Sequence, residues 1–175
     1  LEFISMEINI NCDLGEKSKH HSNKHDPELL KIVNSANVAC GYHAGDKETM
    51  NEVITISKRN KVSIGAHPSF NDPENFGRSR INLTSKEIRK LIIDQYEILQ
   101  SIATIHNENV THIKPHGALN NMACEDLELA TIIAKTITEI SKDIIYLVPT
   151  GSKMEIAAKK LSMKIACEIF ADRNY

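Results

Sequence analysis

Apolar positions along this chain fall into two alternating patterns. Mostly apolar runs at 7–12, 36–40, 62–66, 110–114, 144–149 and 164–170 are short and unbroken, as in parallel strands covered on both faces. Between them, apolar residues recur at helical spacing. Asp26-Pro27 reads as an N-cap and first-turn pair for a helix through Asn34, and a second helix is expected over 47–60. Thr84 and Glu87 form a capping-box pair ahead of the stripe Ile88, Leu91, Ile92, Leu99 and Ile102. A further helix is expected over 125–141, with Leu129, Ile132, Ile133, Ile137 and Ile140 on one side. Ser152 and Glu155 repeat the capping pattern ahead of the last strand.

Five βα units followed by a sixth strand give either an open doubly wound sheet or a barrel of the TIM type. The strand ends decide between them. They carry polar bursts: Asn11-Cys12-Asp13-Leu14-Gly15-Glu16, Cys40-Gly41-Tyr42-His43-Ala44-Gly45-Asp46, Ala66-His67-Pro68, Lys114-Pro115-His116-Gly117 and Glu168-Ile169-Phe170-Ala171-Asp172-Arg173. A glycine-rich dinucleotide fingerprint is missing after the first strand, where two carboxylates have the wrong sign for a pyrophosphate. Parallel βα units put all C-terminal strand ends on one face, so a barrel with a shared site fits better. A barrel of this kind takes ~250 residues, so a single domain over 6–175 with its C-terminal part absent is expected. Residues 1–5 read as a cloning remnant ahead of a natural start at Met6.

Composition narrows the class. A net charge of −2 over 175 residues, without a basic block, gives no footprint for nucleic acid. The apolar stretches fall far short of the ~20 residues of a membrane span, and no secretory leader is visible. Four isolated cysteines suit reduced thiols in a cytoplasmic protein. Cys12, Cys40 and Cys167 lie in strand runs and read as small buried hydrophobes rather than nucleophiles.

The bursts, in this order and with Ser35-Ala36-Asn37-Val38-Ala39, Ile64-Gly65, Ser69-Phe70, Phe76-Gly77-Arg78 and His112-Ile113 beside them, resemble the LamB/YcsF family. The resemblance runs from about Met6 to Tyr175. It implies a seven-stranded, TIM-barrel-like fold related to polysaccharide deacetylases. It also implies an ATP-dependent 5-oxoprolinase activity that opens 5-oxo-L-proline to L-glutamate, with two further subunits required. The chain departs from the family in its Lys17 to His25 loop, which lacks the usual glycine and aromatic residues, and at Asn120, where tyrosine is common.

Opening a lactam with ATP calls for Mg²⁺ on the phosphates, cations near the transferred group, a general base for water and a cation for the substrate carboxylate. Candidate catalytic residues are Asp13, His43, His67, Lys114, His116 and Asp172. Glu16, Asp46, Arg78, Glu168 and Arg173 are candidates for binding substrate or nucleotide. Asp13, His43 and His67 are a candidate metal set, although whether a transition metal is intrinsic stays open. Plainer roles stand beside several of these. Asp46 suits the N-cap of the helix that follows it, Lys114 can pair with Glu168, and Arg78 can be solvated. The loop histidines His20, His21 and His25 read as a solvated polar loop. The 68–83 segment is a long irregular connection of the kind used for binding loops. Two other functions remain open: a stand-alone metal-dependent amide or deacetylase-type hydrolase, and a non-catalytic subunit that binds a small carboxylate. An unfinished barrel would expose strand edges, so a homo-oligomer is expected.

Overall fold

The computed structural model describes residues 8–19 and 21–171. Six strands, β1 (Asn11–Leu14), β2 (Ser35–Ala39), β3 (Ser63–His67), β4 (Val110–Ile113), β5 (Ile145–Pro149) and β6 (Ile165–Glu168), form one sheet in sequential order. Every pairing is parallel. The helices are α1 (Asp26–Leu29), α2 (Lys47–Asn60), α3 (Ser85–Ile105), α4 (Gly117–Glu125), α5 (Leu127–Ile140) and α6 (Lys153–Lys160). Their apolar faces and the sheet's outer side enclose the main core, which includes Ile54, Ile92, Leu99, Ile133 and Ile137. The sheet is curled into a half-barrel. Asn11 Nδ2, on the first strand, donates across its concave side to Glu168 Oε2, on the last, at 3.3 Å.

Local signals account for most of these boundaries. Asp46 Oδ1 accepts the Thr49 N–H at 2.8 Å and starts α2 at the expected residue. Thr84 and Glu87 make the full reciprocal box at the start of α3. Ser152 caps α6, while Glu155 turns to the Gly151 N–H instead of closing a second box.

Three elements differ from expectation. The first helix stops at Leu29 because the chain must reach β2, where the Asn34 and Ser35 N–H groups both donate to Ile10 O. Asp26 is not its cap; the carboxylate turns inward and accepts the Gly15 N–H at 2.7 Å. The helix expected over 125–141 is present as α5, capped by the Asp126 carboxylate, but an additional short helix that was not expected, α4, directly precedes it. The long connection after β3 contains a single 3₁₀ turn, Pro73–Asn75.

The cysteine expectation holds in part. Cys40 is buried and Cys12 half-buried, but Cys167 is exposed because it lies on the outermost strand. Burial pushes the Cys12 and Cys40 thiols up to about 11 and about 12, so both stay protonated at neutral pH.

Candidate functional site

Parallel strands bring their C-terminal ends together, and inward-facing side chains of β1, β2, β3, β4 and β6 converge there with residues just past the strand ends. Two layers result.

The deeper layer is an ion-paired network. Lys114 Nζ, almost fully buried, lies 3.1 Å from Asp13 Oδ1 and 3.2 Å from Glu168 Oε2. The plainer role considered for Lys114, a salt bridge to Glu168, is therefore present, with Asp13 as a second partner. Asn37, wholly buried on β2, donates from Nδ2 to Asn11 Oδ1 at 2.7 Å and Asp13 Oδ1 at 2.9 Å. Its own oxygen lies 3.0 Å from His112 Nε2, which fixes the proton on that nitrogen. Burial, with the charges of His67 and Lys114, lowers the His112 pKa to about 4, so the ring is neutral. His112 crosses above Gly65, where an added Cβ would sit 2.1 Å from the ring.

The outer layer is a histidine cluster around Glu16. Glu16 Oε1 lies 3.2 Å from His43 Nε2, 3.3 Å from His116 Nδ1 and 3.8 Å from His67 Nε2. His67 Nδ1 donates to Lys114 O at 2.6 Å and His116 Nε2 donates to Phe76 O at 2.9 Å. These bonds turn His67 Nε2 and His116 Nδ1 toward each other, 3.0 Å apart. His43 and His116 stack with ring centroids at 3.8 Å. The Phe76 carbonyl is aimed by a left-handed backbone (φ 55), an uncommon state for a bulky residue. The following Gly77 (φ 66) leaves no room for a side chain against Ser69 Oγ and His43.

The two layers touch where His67 Nε2 meets Asp13 Oδ2 at 3.4 Å. Burial alone would raise Asp13 and lower His67. Their mutual charge and hydrogen bond win, so Asp13 is held well below the usual carboxylate range and His67 is raised. Burial also takes Lys114 down, but Asp13 and Glu168 hold it above its ordinary value. His43 and His116 are pushed down to about 3, first by burial and then by the charge of His67.

Of the residues singled out from sequence, Asp13, Glu16, His43, His67, Lys114, His116 and Glu168 are thus assembled in one place. Asp46 is exposed and its carboxylate serves the α2 cap. Arg78 is exposed, with its guanidinium 5.3 Å over the Phe76 ring at the rim. His21 stacks on the same ring at 4.1 Å, so that loop histidine is not merely solvated. Asp172 and Arg173 lie outside the described residues, as does His20. Sequence reasoning missed Asn11, Asn37 and His112. The signal available was period two: Asn11 with Asp13 and His112 with Lys114 share one strand face.

The family model for LamB/YcsF matches residues 8–175. The chain belongs to the LamB/YcsF family. Among LamB/YcsF relatives, the 5-oxoprolinase A-subunit of Natranaerobius thermophilus is 43% identical over 168 residues, covering 96% of this chain and 65% of the relative. The protein of the same name from Staphylococcus epidermidis is 38% identical over 172 residues, covering 98% and 68%. The crystal structure of a lactam utilization protein from Thermus thermophilus superposes with a TM-score of 0.92 at 33% identity, covering 97% of this chain and 69% of that one. The chain thus spans about two thirds of the length of these relatives. The half-barrel sheet matches the corresponding part of that crystal structure. Among the described residues no helix is long and apolar enough to cross a membrane.

Proposed function

We propose that this chain belongs to an ATP-dependent 5-oxoprolinase and that its strand-end site opens the lactam ring of 5-oxo-L-proline to give L-glutamate. The observation that carries this reading is the continuity of the two layers. The Asp13–Lys114–Glu168 array meets the Glu16–histidine cluster through the 3.4 Å Asp13–His67 contact, making one polar site. The relatives' names supply the substrate and the division into subunits. In this reading the protein works in the cytoplasm with two further subunits, and the complete fold is a seven-stranded barrel of the deacetylase type.

Ring opening breaks the amide C–N bond, adds water oxygen to the carbonyl carbon and returns a proton to the nitrogen. An unactivated amide resists this. ATP with Mg²⁺ would supply a phosphoryl group to the amide oxygen, leaving ADP and an electrophilic carbon. After water adds and the C–N bond breaks, a further water hydrolyses the resulting acyl phosphate and releases phosphate. A cavity of about 190 Å³ beside His43, lined by Lys17, Ser18, Lys19, Gly41 and Gly45 among others, fits a phosphate chain better than Lys114 does. Lys17 and Lys19 are exposed cations, whereas Lys114 already has two carboxylate partners. Lys114 instead orders Asp13 and Glu168 and places positive charge at the site floor. The histidine–Glu16 cluster handles the attacking water and the proton delivered to nitrogen. Arg78, at the rim, suits the substrate carboxylate.

The test is reconstitution with the two partner subunits, followed by glutamate and phosphate release. Matched release of both products is expected, and Lys114→Met should lower it roughly 10²-fold or more. Absence of glutamate with all subunits and ATP present would overturn the reading. Ring opening without ATP would favour the stand-alone hydrolase.

A further inference from the structure

The Glu16 cluster contains more converging acceptors than hydrogen bonding among its members uses well. His67 and His116 each spend one ring nitrogen as a donor to a backbone carbonyl, which leaves Nε2 of one and Nδ1 of the other facing inward. His43 Nε2 and Glu16 Oε1 complete the set, and all four atoms lie within 4.8 Å of one another. His43 Nδ1 is buried with no hydrogen-bond partner. We propose that Glu16, His43, His67 and His116 form a binding site for one divalent transition-metal ion of the zinc class.

Geometry supports this first. Bonds of 2.0–2.1 Å to a tetrahedral ion place neighbouring ligand atoms about 3.3 Å apart. Observed separations are 3.0 Å for His67–His116, 3.2 Å for Glu16–His43 and 3.3 Å for Glu16–His116, with Glu16–His67 at 3.8 Å. Small movements of buried rings would seat an ion.

Ligand preparation is the second support. Imidazoles that bind metal characteristically donate the other ring N–H to a carbonyl or carboxylate, fixing tautomer and orientation. His67 and His116 both do so, through carbonyls of different segments. Three imidazoles and one carboxylate favour zinc, cobalt or nickel over the oxygen-seeking Mg²⁺, so the site is distinct from any magnesium carried with nucleotide.

The carboxylate differs from the sequence expectation. Asp13 was expected to be a ligand with His43 and His67, but its Oδ1 is taken by Lys114 and Asn37. Glu16 stands in its place, and His116 is the third imidazole. Asp13 Oδ2, 3.4 Å from His67 Nε2, remains beside the cluster on its open side, where Asp13 and Glu16 side chains are 34% and 21% exposed. A water reaching a bound ion from that side would meet this carboxylate as a hydrogen-bond acceptor.

The experiment needs neither substrate nor partner subunits, so its outcome is separable from that of the oxoprolinase reading. Chelator-stripped protein is titrated with Zn²⁺ and with Co²⁺, and bound metal is counted by elemental analysis after desalting. One equivalent is expected, with the intense visible bands of low-coordinate cobalt and a rise in thermal midpoint. Glu16→Gln and His67→Ala should lose the equivalent and the bands. A double variant of the rim histidines, His21→Ala with His25→Ala, should keep both. Glu16 is partly exposed, so Glu16→Gln tests the site even if His67→Ala misfolds. Wild-type protein that binds no more metal than Glu16→Gln overturns the proposal. So does binding that survives Glu16→Gln and disappears with the rim histidines.

Discussion

Asp26 shows how a single carboxylate can be structural at the margin of a functional site. Its Oδ2 accepts the Gly15 N–H at 2.7 Å, which fixes the turn that separates Asp13 from Glu16. Burial raises its pKa, against the hydrogen bond from Gly15 and with the repulsion of Glu16 and Glu52. A carboxyl raised on folding adds stability below the unfolded carboxylate range, and that contribution is lost as pH rises through the folded value. At neutral pH its charge is therefore a cost. Asp26→Asn keeps an oxygen acceptor and removes that cost. Urea denaturation should show wild type gaining on Asp26→Asn as pH falls from neutrality into the carboxylate range. Asp26→Ala abandons the buried N–H and should cost ~1–3 kcal/mol at every pH. If wild type instead loses ground to Asp26→Asn on acidification, the carboxyl is not raised and the burial argument is wrong.

At the scale of elements, the contact between β3 and β4 depends on one missing side chain. His112 reaches Asn37 only by lying over Gly65, so Gly65→Ala drives the ring off and separates two buried hydrogen-bonding groups. The expected loss is a few kcal/mol, as for other overpacked cores, read as a lower thermal midpoint. His112→Ala in the same chain should relieve the clash, so the double variant should lose less than the sum of the two singles. Strict additivity would contradict the steric account. This pairing also marks where sequence reading ran out. Strand-end residues such as His67 and Lys114 stood out because a polar residue closing an apolar run is conspicuous. Asn37 sits one pleat deeper, between Ala36 and Val38, and its role depends on which neighbouring strand supplies a partner. Helices behave likewise. α2 and α3 carry side-chain caps and begin where expected, whereas α4 follows His116 without a side-chain cap and has no acidic first turn. Local sequence announces a helix that is locally capped. It is silent about one held mainly by packing.

For the whole molecule, parallel βα order was legible from the alternation of short apolar runs and helical stripes, and so was a shared face for the site. Curvature was legible only indirectly, through the strand-end bursts that favoured a barrel, because it arises from contacts between residues as remote as Asn11 and Glu168. The curled sheet has consequences at its ends. Among the described residues β1 pairs with β2 alone and β6 with β5 alone. Ile8, Ile10 and Ile169, flanking these outer strands, are 74%, 49% and 72% exposed. Unpaired edges beside exposed β-branched residues favour strand addition by a second chain. Self-association at micromolar concentration is therefore expected by light scattering. Amide hydrogen exchange provides the positional check. The buried β2 and β3 should exchange slowest at any concentration, since they open only with the whole fold. Amides of β1 and β6 should exchange faster in dilute protein and slow as concentration rises, because pairing between copies would cover them. A clean monomer whose outer-strand exchange is independent of concentration would show that these edges do not pair between copies.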